Sequence, residues 1–342
     1  MSPMSSKNPS IVDVTPRLGV PGGEVAIRCR DYRPNLPAYS KVIFGETPAD
    51  VISASDELVV ARIPRDTRGP GVRLLADGES SSLFPFALAL SLASGLHPVT
   101  NPVVAPDGSI ITTISGSRGQ QVAAPLVRVT REGGKVPFAC EMMNPTGLAF
   151  GPDRQLYISS RYDGVVYRYT DFEKLEVVAD DLGIACGIAF DSRGNLYVGD
   201  RSGRVHRIDS SGRKEEFARL EPSVSAYHLA IDSADAVYVT GPTFAVRDTL
   251  YRISSAGSVE ALLGGLARPQ GMAFMPDGDL LIASSFEGKK GLFRFSPVSA
   301  EIEHYVAAPT LVGVALSGED LFLADNESLL WMRLLAGTAK PV

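Results

Sequence analysis

His228 opens the phrase His228-Leu-Ala-Ile-Asp-Ser-Ala-Asp, whose counterparts elsewhere in the chain mostly open on glycine. A neutral imidazole at such a place can act as a general base or as a hydrogen-bond partner for a ligand. The plainer alternative is a histidine satisfied by a buried backbone carbonyl. Asn101 makes the same departure in another copy of the phrase. Asparagine tolerates unusual backbone angles, and histidine does so less readily. Local rules tend to be broken where function or strain resides. Arg118, Arg161 and Arg201 occupy equivalent places in three consecutive copies. Guanidinium groups converging on one rim suit a carboxylate or phosphate. Against this, Asp163 and Asp200 share loops with two of them and would brace them internally. Arg118 has no acid in its own loop and is the best ligand candidate of the three.

Metal and nucleophile chemistry is poorly supplied. His97, His206, His228 and His304 fall at unrelated repeat positions, so no shared imidazole site is expected. Cys29, Cys140 and Cys186 are odd in number and widely spaced, which is neither a disulfide framework nor a zinc pattern. Reduced, buried thiols fit a cytoplasmic protein. Cys186 has no histidine near it in sequence to activate it as a nucleophile. The net charge of −6 and the lack of a basic block argue against nucleic acid as partner. The longest apolar run, Leu83 to Ala93, is too short to span a bilayer and contains Pro85. Residues 1–10 are polar, are expected to be disordered, and contain no apolar stretch of the signal-peptide kind. The expected location is therefore cytoplasmic, or periplasmic if a leader has been removed.

The elements that must position these residues come from a repeat. The phrase recurs from Asn101, Gly147, Gly187, His228, Gly271 and Gly313, at spacings of 46, 40, 41, 43 and 42 residues. A period of about 40–45 residues with four strands per unit is the signature of a β-propeller. In the third unit, strands are expected at Gly187–Asp191, Asn195–Gly199, Arg204–Asp209 and Lys214–Arg219, from period-two alternation and β-branched or aromatic residues. The sixth unit runs out of chain before a fourth strand. An open ring would leave an unpaired edge, so Leu88–Ala93 is expected to supply the outer strand. The fold class is all-β, with residues 83–342 forming a six-bladed propeller.

Residues 11–82 lie outside the repeat and read as a small β-sandwich, with strands near Ile11, Glu24–Cys29, Lys41–Gly45, Glu57–Ile63 and Val72–Ala76. Arg17–Gly23 reads as a turn. The pattern Pro16, Gly19, Gly22, Gly23, Val25, Ile27 resembles the opening of an IPT/TIG domain, an immunoglobulin-like fold. That resemblance implies a spacer or protein-contact module. The phrases Gly187-Ile-Ala-Phe-Asp-Ser-Arg-Gly-Asn-Leu-Tyr-Val-Gly-Asp and Gly271-Met-Ala-Phe-Met-Pro-Asp-Gly resemble the NHL-repeat and SMP-30/gluconolactonase group of six-bladed propellers.

The lactonase branch of that group implies a divalent cation at one channel mouth, held by a Glu, Asn side chains and an Asp placed just before innermost strands. Here those places hold Thr100, Thr146, Cys186, Tyr227, Gln270 and Val312, and none is a carboxylate. No metal ligand is therefore expected. A calcium or zinc ion belongs only to the alternative reading of a lactone hydrolase with a divergent site. The tight turns between first and second strands, such as Pro106-Asp-Gly and Asp191-Ser-Arg-Gly, are explained by turn chemistry alone. The opposite face carries longer polar loops and all of the candidates: His228 as a catalytic base, and Asn101, Arg118, Thr146, Arg161, Cys186, Arg201, Tyr227 and Gln270 as ligand contacts. The expected function is recognition of a small polar or anionic ligand or a protein segment, with no cofactor.

Overall fold

The computed structural model describes residues 8–32, 34, 40–67, 69–114, 122, 124–138, 142–170 and 174–334. Among them every regular element is a strand. Six sheets follow one another along the chain, each with an antiparallel core of strands. The third is built from Ala185–Phe190, Leu196–Asp200, Arg204–Ile208 and Lys214–Arg219, hydrogen-bonded in that order. These strands start and stop within two residues of the pattern's expectation. The innermost strands, Val103–Val104, Pro145–Phe150, Ala185–Phe190, His228–Ile231, Met272–Phe274 and Gly313–Ser317, each adjoin the next. The last adjoins the first, so the six sheets form a ring.

Burial follows from this geometry. Second strands such as Leu156–Ser160 and Leu196–Asp200 are buried at every position, because neighbouring sheets cover both faces. The outer strand Lys214–Arg219 alternates instead. Adjacent sheets are joined by edge-to-face ring pairs. Tyr157 meets Phe190 at 4.8 Å, and Tyr238 meets Phe274 at 4.9 Å. The innermost strands approach backbone to backbone. A Cβ at Gly187 would meet the Tyr227 carbonyl oxygen, and one at Gly313 would overlap the Thr100 carbonyl oxygen. Crowding explains why the phrase opens on glycine.

The expected latch is present. Leu90–Ser94 pairs antiparallel with Ser328–Arg333 and completes the sixth sheet. In the N-terminal unit, one sheet orders Ser10–Thr15, Glu24–Arg30, Leu58–Arg62 and Asp50–Ala54. The other orders Thr47–Pro48, Lys41–Phe44, Val72–Ala76 and Glu79–Ser80. Val25, Ile27 and Val59 from the first meet Phe44, Val72 and Leu74 from the second in one core.

The expected turn at Arg17–Gly23 is corrected. Leu18–Gly19 pairs in parallel with Ile302–Ala307 on one side and with Ala87–Leu88 on the other, so the fifth sheet has six strands. A two-residue strand has no period to read, and its partner lies near the other end of the chain. Ala307 of the ring and Phe86 of the connection enter the N-terminal core. The two units are thus continuous in both sheet and core.

Candidate ligand-binding face

In the second, third and fifth blades the chain segment leading into the innermost strand lies on the same face as the loop between second and third strands. Hydrogen bonds tie the two together: Arg161 N to Asn144 O, Arg201 N to Ile184 O, Ala267 N to Ser285 O. The side chains at the starts of the innermost strands are committed locally. Thr146 Oγ1 donates to Asn144 O at 3.2 Å, and Cys186 Sγ to Ile184 O at 3.2 Å. The Tyr227 hydroxyl donates to Glu221 O. Burial pushes the Cys186 thiol up to about 11 and raises the Tyr227 phenol, so neither is poised to ionise.

Asn101 and His228, the two departures from glycine, converge on the fifth sheet. Asn101 Nδ2 donates to Met272 O at 2.7 Å, and its Oδ1 accepts from Val314 N at 3.0 Å. The amide therefore spans the sixth sheet to reach the fifth, and Gly271 leaves room for it. His228 is 3% exposed, with the Gln270 side chain beside it. Burial holds its pKa down to about 4, so the ring stays neutral at neutral pH. The geometry makes both residues cross-braces of the ring wall. A base buried to this degree cannot reach a solvent-borne substrate without movement of the wall.

The arginines behave differently. Arg118 lies outside the described residues. Arg161 and Arg201 are both exposed. The internal brace weighed from the sequence is absent. Asp163 accepts from Ser160 Oγ at 2.8 Å and Tyr167 at 3.3 Å. Asp200, 3% exposed, accepts from Ile184 N at 3.0 Å, from Ser202 N at 3.1 Å and from the Ser202 hydroxyl. Neither acid pairs with an arginine. Arg201 Nε donates to Ser223 O at 3.2 Å.

Two further arginines on this face were not singled out from the sequence. Arg247 precedes Asp248, and Arg268 N donates to Asp248 Oδ2 at 3.0 Å. Both are exposed. Among the described residues, none of Arg161, Arg201, Arg247 and Arg268 forms an ion pair. Arg247 was visible in its loop, but Arg268 has no counterpart in the other repeats and left no signal.

Among the cavities, one lies on the ring axis and one at the junction with the N-terminal unit. The cavity on the ring axis, of about 390 Å³, runs along the innermost strands, lined from Asn101, Leu148 and Val314 to Phe150, Phe190 and Phe274, so of the two departures from glycine Asn101 borders it. A cleft of about 770 Å³ separates the N-terminal unit from the fifth sheet, lined by Arg62, Arg65, Lys289, Lys290 and His304 among others. No three His, Cys, Asp or Glu side chains gather among the described residues as metal ligands would. The donor set at the starts of the innermost strands, with no carboxylate, does not fit a hard divalent cation.

No family model matches the chain, and no curated protein matches it. Solved structures do. An auxiliary nutrient binding protein from Bacteroides ovatus aligns over 97% of this chain and 99% of its own, at 13% identity and a TM-score of 0.56. A gluconolactonase from Xanthomonas campestris aligns over 71% and 88%, at 13% identity and a TM-score of 0.57. A virginiamycin B lyase from Staphylococcus aureus, crystallised with quinupristin, aligns over 96% of both chains, at 15% identity and a TM-score of 0.52. These neighbours are β-propeller proteins. At such identities they show the fold alone, and binding proteins and enzymes stand side by side among them.

Proposed function

We propose that the chain is a recognition module: a six-bladed β-propeller whose loop face binds an anionic partner through Arg161, Arg201, Arg247 and Arg268. The N-terminal unit is read as an immunoglobulin-like module of the IPT/TIG kind, joined to the fifth blade through Leu18–Gly19. One observation carries the reading. On this face four exposed guanidinium groups lack carboxylate partners, while Asp200 and Asp248 in the same loops are spent on backbone N–H and hydroxyl groups. A free guanidinium offers paired donors to a carboxylate or phosphate. The alternative, a lactone hydrolase, has the fold likeness to support it but neither an accessible base at His228 nor a carboxylate at the starts of the innermost strands.

Isothermal titration at low and physiological salt with citrate, inorganic phosphate and phosphorylated sugars tests the site. Binding is expected to weaken with salt and to fall about 100-fold in the Arg161→Gln/Arg201→Gln/Arg247→Gln/Arg268→Gln variant, the loss of a few charge-assisted hydrogen bonds. Equal binding by this variant and the unaltered protein would overturn the assignment. Turnover of a lactone panel with added calcium or zinc would favour the hydrolase.

A further inference from the structure

We infer that the loop Thr243–Arg247 is an apolar anchor on this face, and that the partner it serves is an acidic polypeptide segment bearing apolar side chains. The inference rests on the recognition reading above and narrows it to one class of partner.

Phe244 and Val246 are 88% and 92% exposed. The fourth sheet beneath them buries Val237, Val239 and Leu250 completely, so apolar residues in this blade are not short of a core. The loop that lifts the two side chains into water is braced from below. Asp248, 4% exposed, accepts from Thr243 N at 2.7 Å, Thr243 Oγ1 at 2.9 Å and Arg268 N at 3.0 Å. Thr243 Oγ1 accepts in turn from Ala245 N at 3.1 Å. Pro242 O accepts from Val224 N at 2.8 Å and Ser223 Oγ at 2.8 Å. A side chain presented on a fixed base loses little entropy when it is covered.

Unpaired cations flank the anchor: Arg247 is next in sequence, and Arg268 is joined through Asp248. The same pairing of apolar and cationic side chains recurs in the second and third blades. There Tyr162 (65% exposed) follows Arg161, and Ile184 (41% exposed) accepts at its carbonyl from Arg201 N. A small hydrated anion gains nothing from Phe244 or Tyr162. An extended chain can place carboxylates on the arginines and apolar side chains on the rings between them, and aromatic and arginine residues are the types that concentrate binding energy at protein interfaces.

Fluorescence anisotropy with short labelled peptides tests this. One peptide repeats Glu-Glu-Leu, one is all glutamate, and one repeats Gln-Gln-Leu. The Glu/Leu peptide is expected to bind about tenfold more tightly than the all-glutamate peptide, and the glutamine peptide weakest. Phe244→Ser/Val246→Ser should remove the tenfold advantage and leave all-glutamate binding in place. Arg247→Gln/Arg268→Gln should weaken both acidic peptides. All of these side chains are exposed, so thermal melting should not change. A Glu/Leu peptide that binds no better than all-glutamate, or an advantage that survives Phe244→Ser/Val246→Ser, overturns the inference. If citrate or phosphate binds through Arg161 and Arg201 while no peptide does, the anchor falls and the arginine face stands. If neither class binds, both fall.

Discussion

The two faces of the ring use the same charged residue types in opposite ways. On the tight-turn face, arginines from third strands reach carboxylates in or beside the turns. Arg128 meets Asp107 at 2.6 Å, and Arg168 meets Glu176 at 2.5 Å. Arg294 meets Asp279 at 2.6 Å and Asp277 at 2.8 Å. On the loop face, Asp163, Asp200 and Asp248 hold N–H groups and hydroxyls, and Arg161, Arg201, Arg247 and Arg268 form no ion pair among the described residues, although Arg219 there meets Glu216 at 2.8 Å. Arg154 and Arg213 on the turn side are also without an ion pair among the described residues, so the contrast is one of pattern, not of every residue. It teaches that stability on the loop face sits in the acids and recognition in the bases, whereas on the turn face both are consumed together.

Replacing Asp248 should have the largest effect on stability. Asp248→Ala leaves three donors unpaired around a buried position and should cost about 4 kcal/mol, given ~1.5–3 kcal/mol per hydrogen bond to a charged group and incomplete additivity. Urea denaturation measures it, and a loss comparable to that of the exposed turn residue Asp153→Ala would break the comparison.

His228 should make stability fall with acid. Its folded pKa is depressed to about 4 from an ordinary 6.5. The unfolded chain therefore takes up a proton as pH falls through 6.5, and the folded ring does so only near 4. The stabilisation is present above 6.5 and is lost as pH falls toward 4, by roughly 3 kcal/mol at ~1.36 kcal/mol per pH unit. Burial lowers His206 and His304 in the same direction. The readout is accordingly the difference in pH dependence between the unaltered protein and His228→Gln. Parallel curves would remove His228 from the account.

On the turn face, Arg294→Gln should cost about 2 kcal/mol by losing charge-assisted bonds at a side chain only 9% exposed, and should leave binding at the other face untouched. The smallest effect belongs to Arg161→Gln and Arg201→Gln, each expected to change stability by less than about 0.5 kcal/mol. A larger loss would mean that these side chains brace the ring after all.

Much of the fold was legible. The phrase beginning at Gly187 marked its four strands because period-two alternation is a property of the local chain. The outer strand near Leu90 could be inferred because a sheet edge left open is costly. Leu18–Gly19 could not, because two residues carry no alternation. The candidate site was legible only as a face. Arg161 and Arg201 were visible in equivalent loops. That Asp200 would be taken up internally was not, since it depends on the Ile184 amide arriving from another connection to meet it. Asn101 and His228 were correctly seen as departures, but their partners, Met272 O, Val314 N and Gln270, lie far away in sequence.

The sequence by itself determined the number of repeats, the strands within them and the closing strand, all of which follow from local periodicity and the need to pair edges. Only the tertiary structure decided which charged groups are satisfied, because a hydrogen bond depends on which donor stands within about 3 Å. It also decided that the N-terminal unit is joined to the fifth sheet, through contacts that no local pattern encodes.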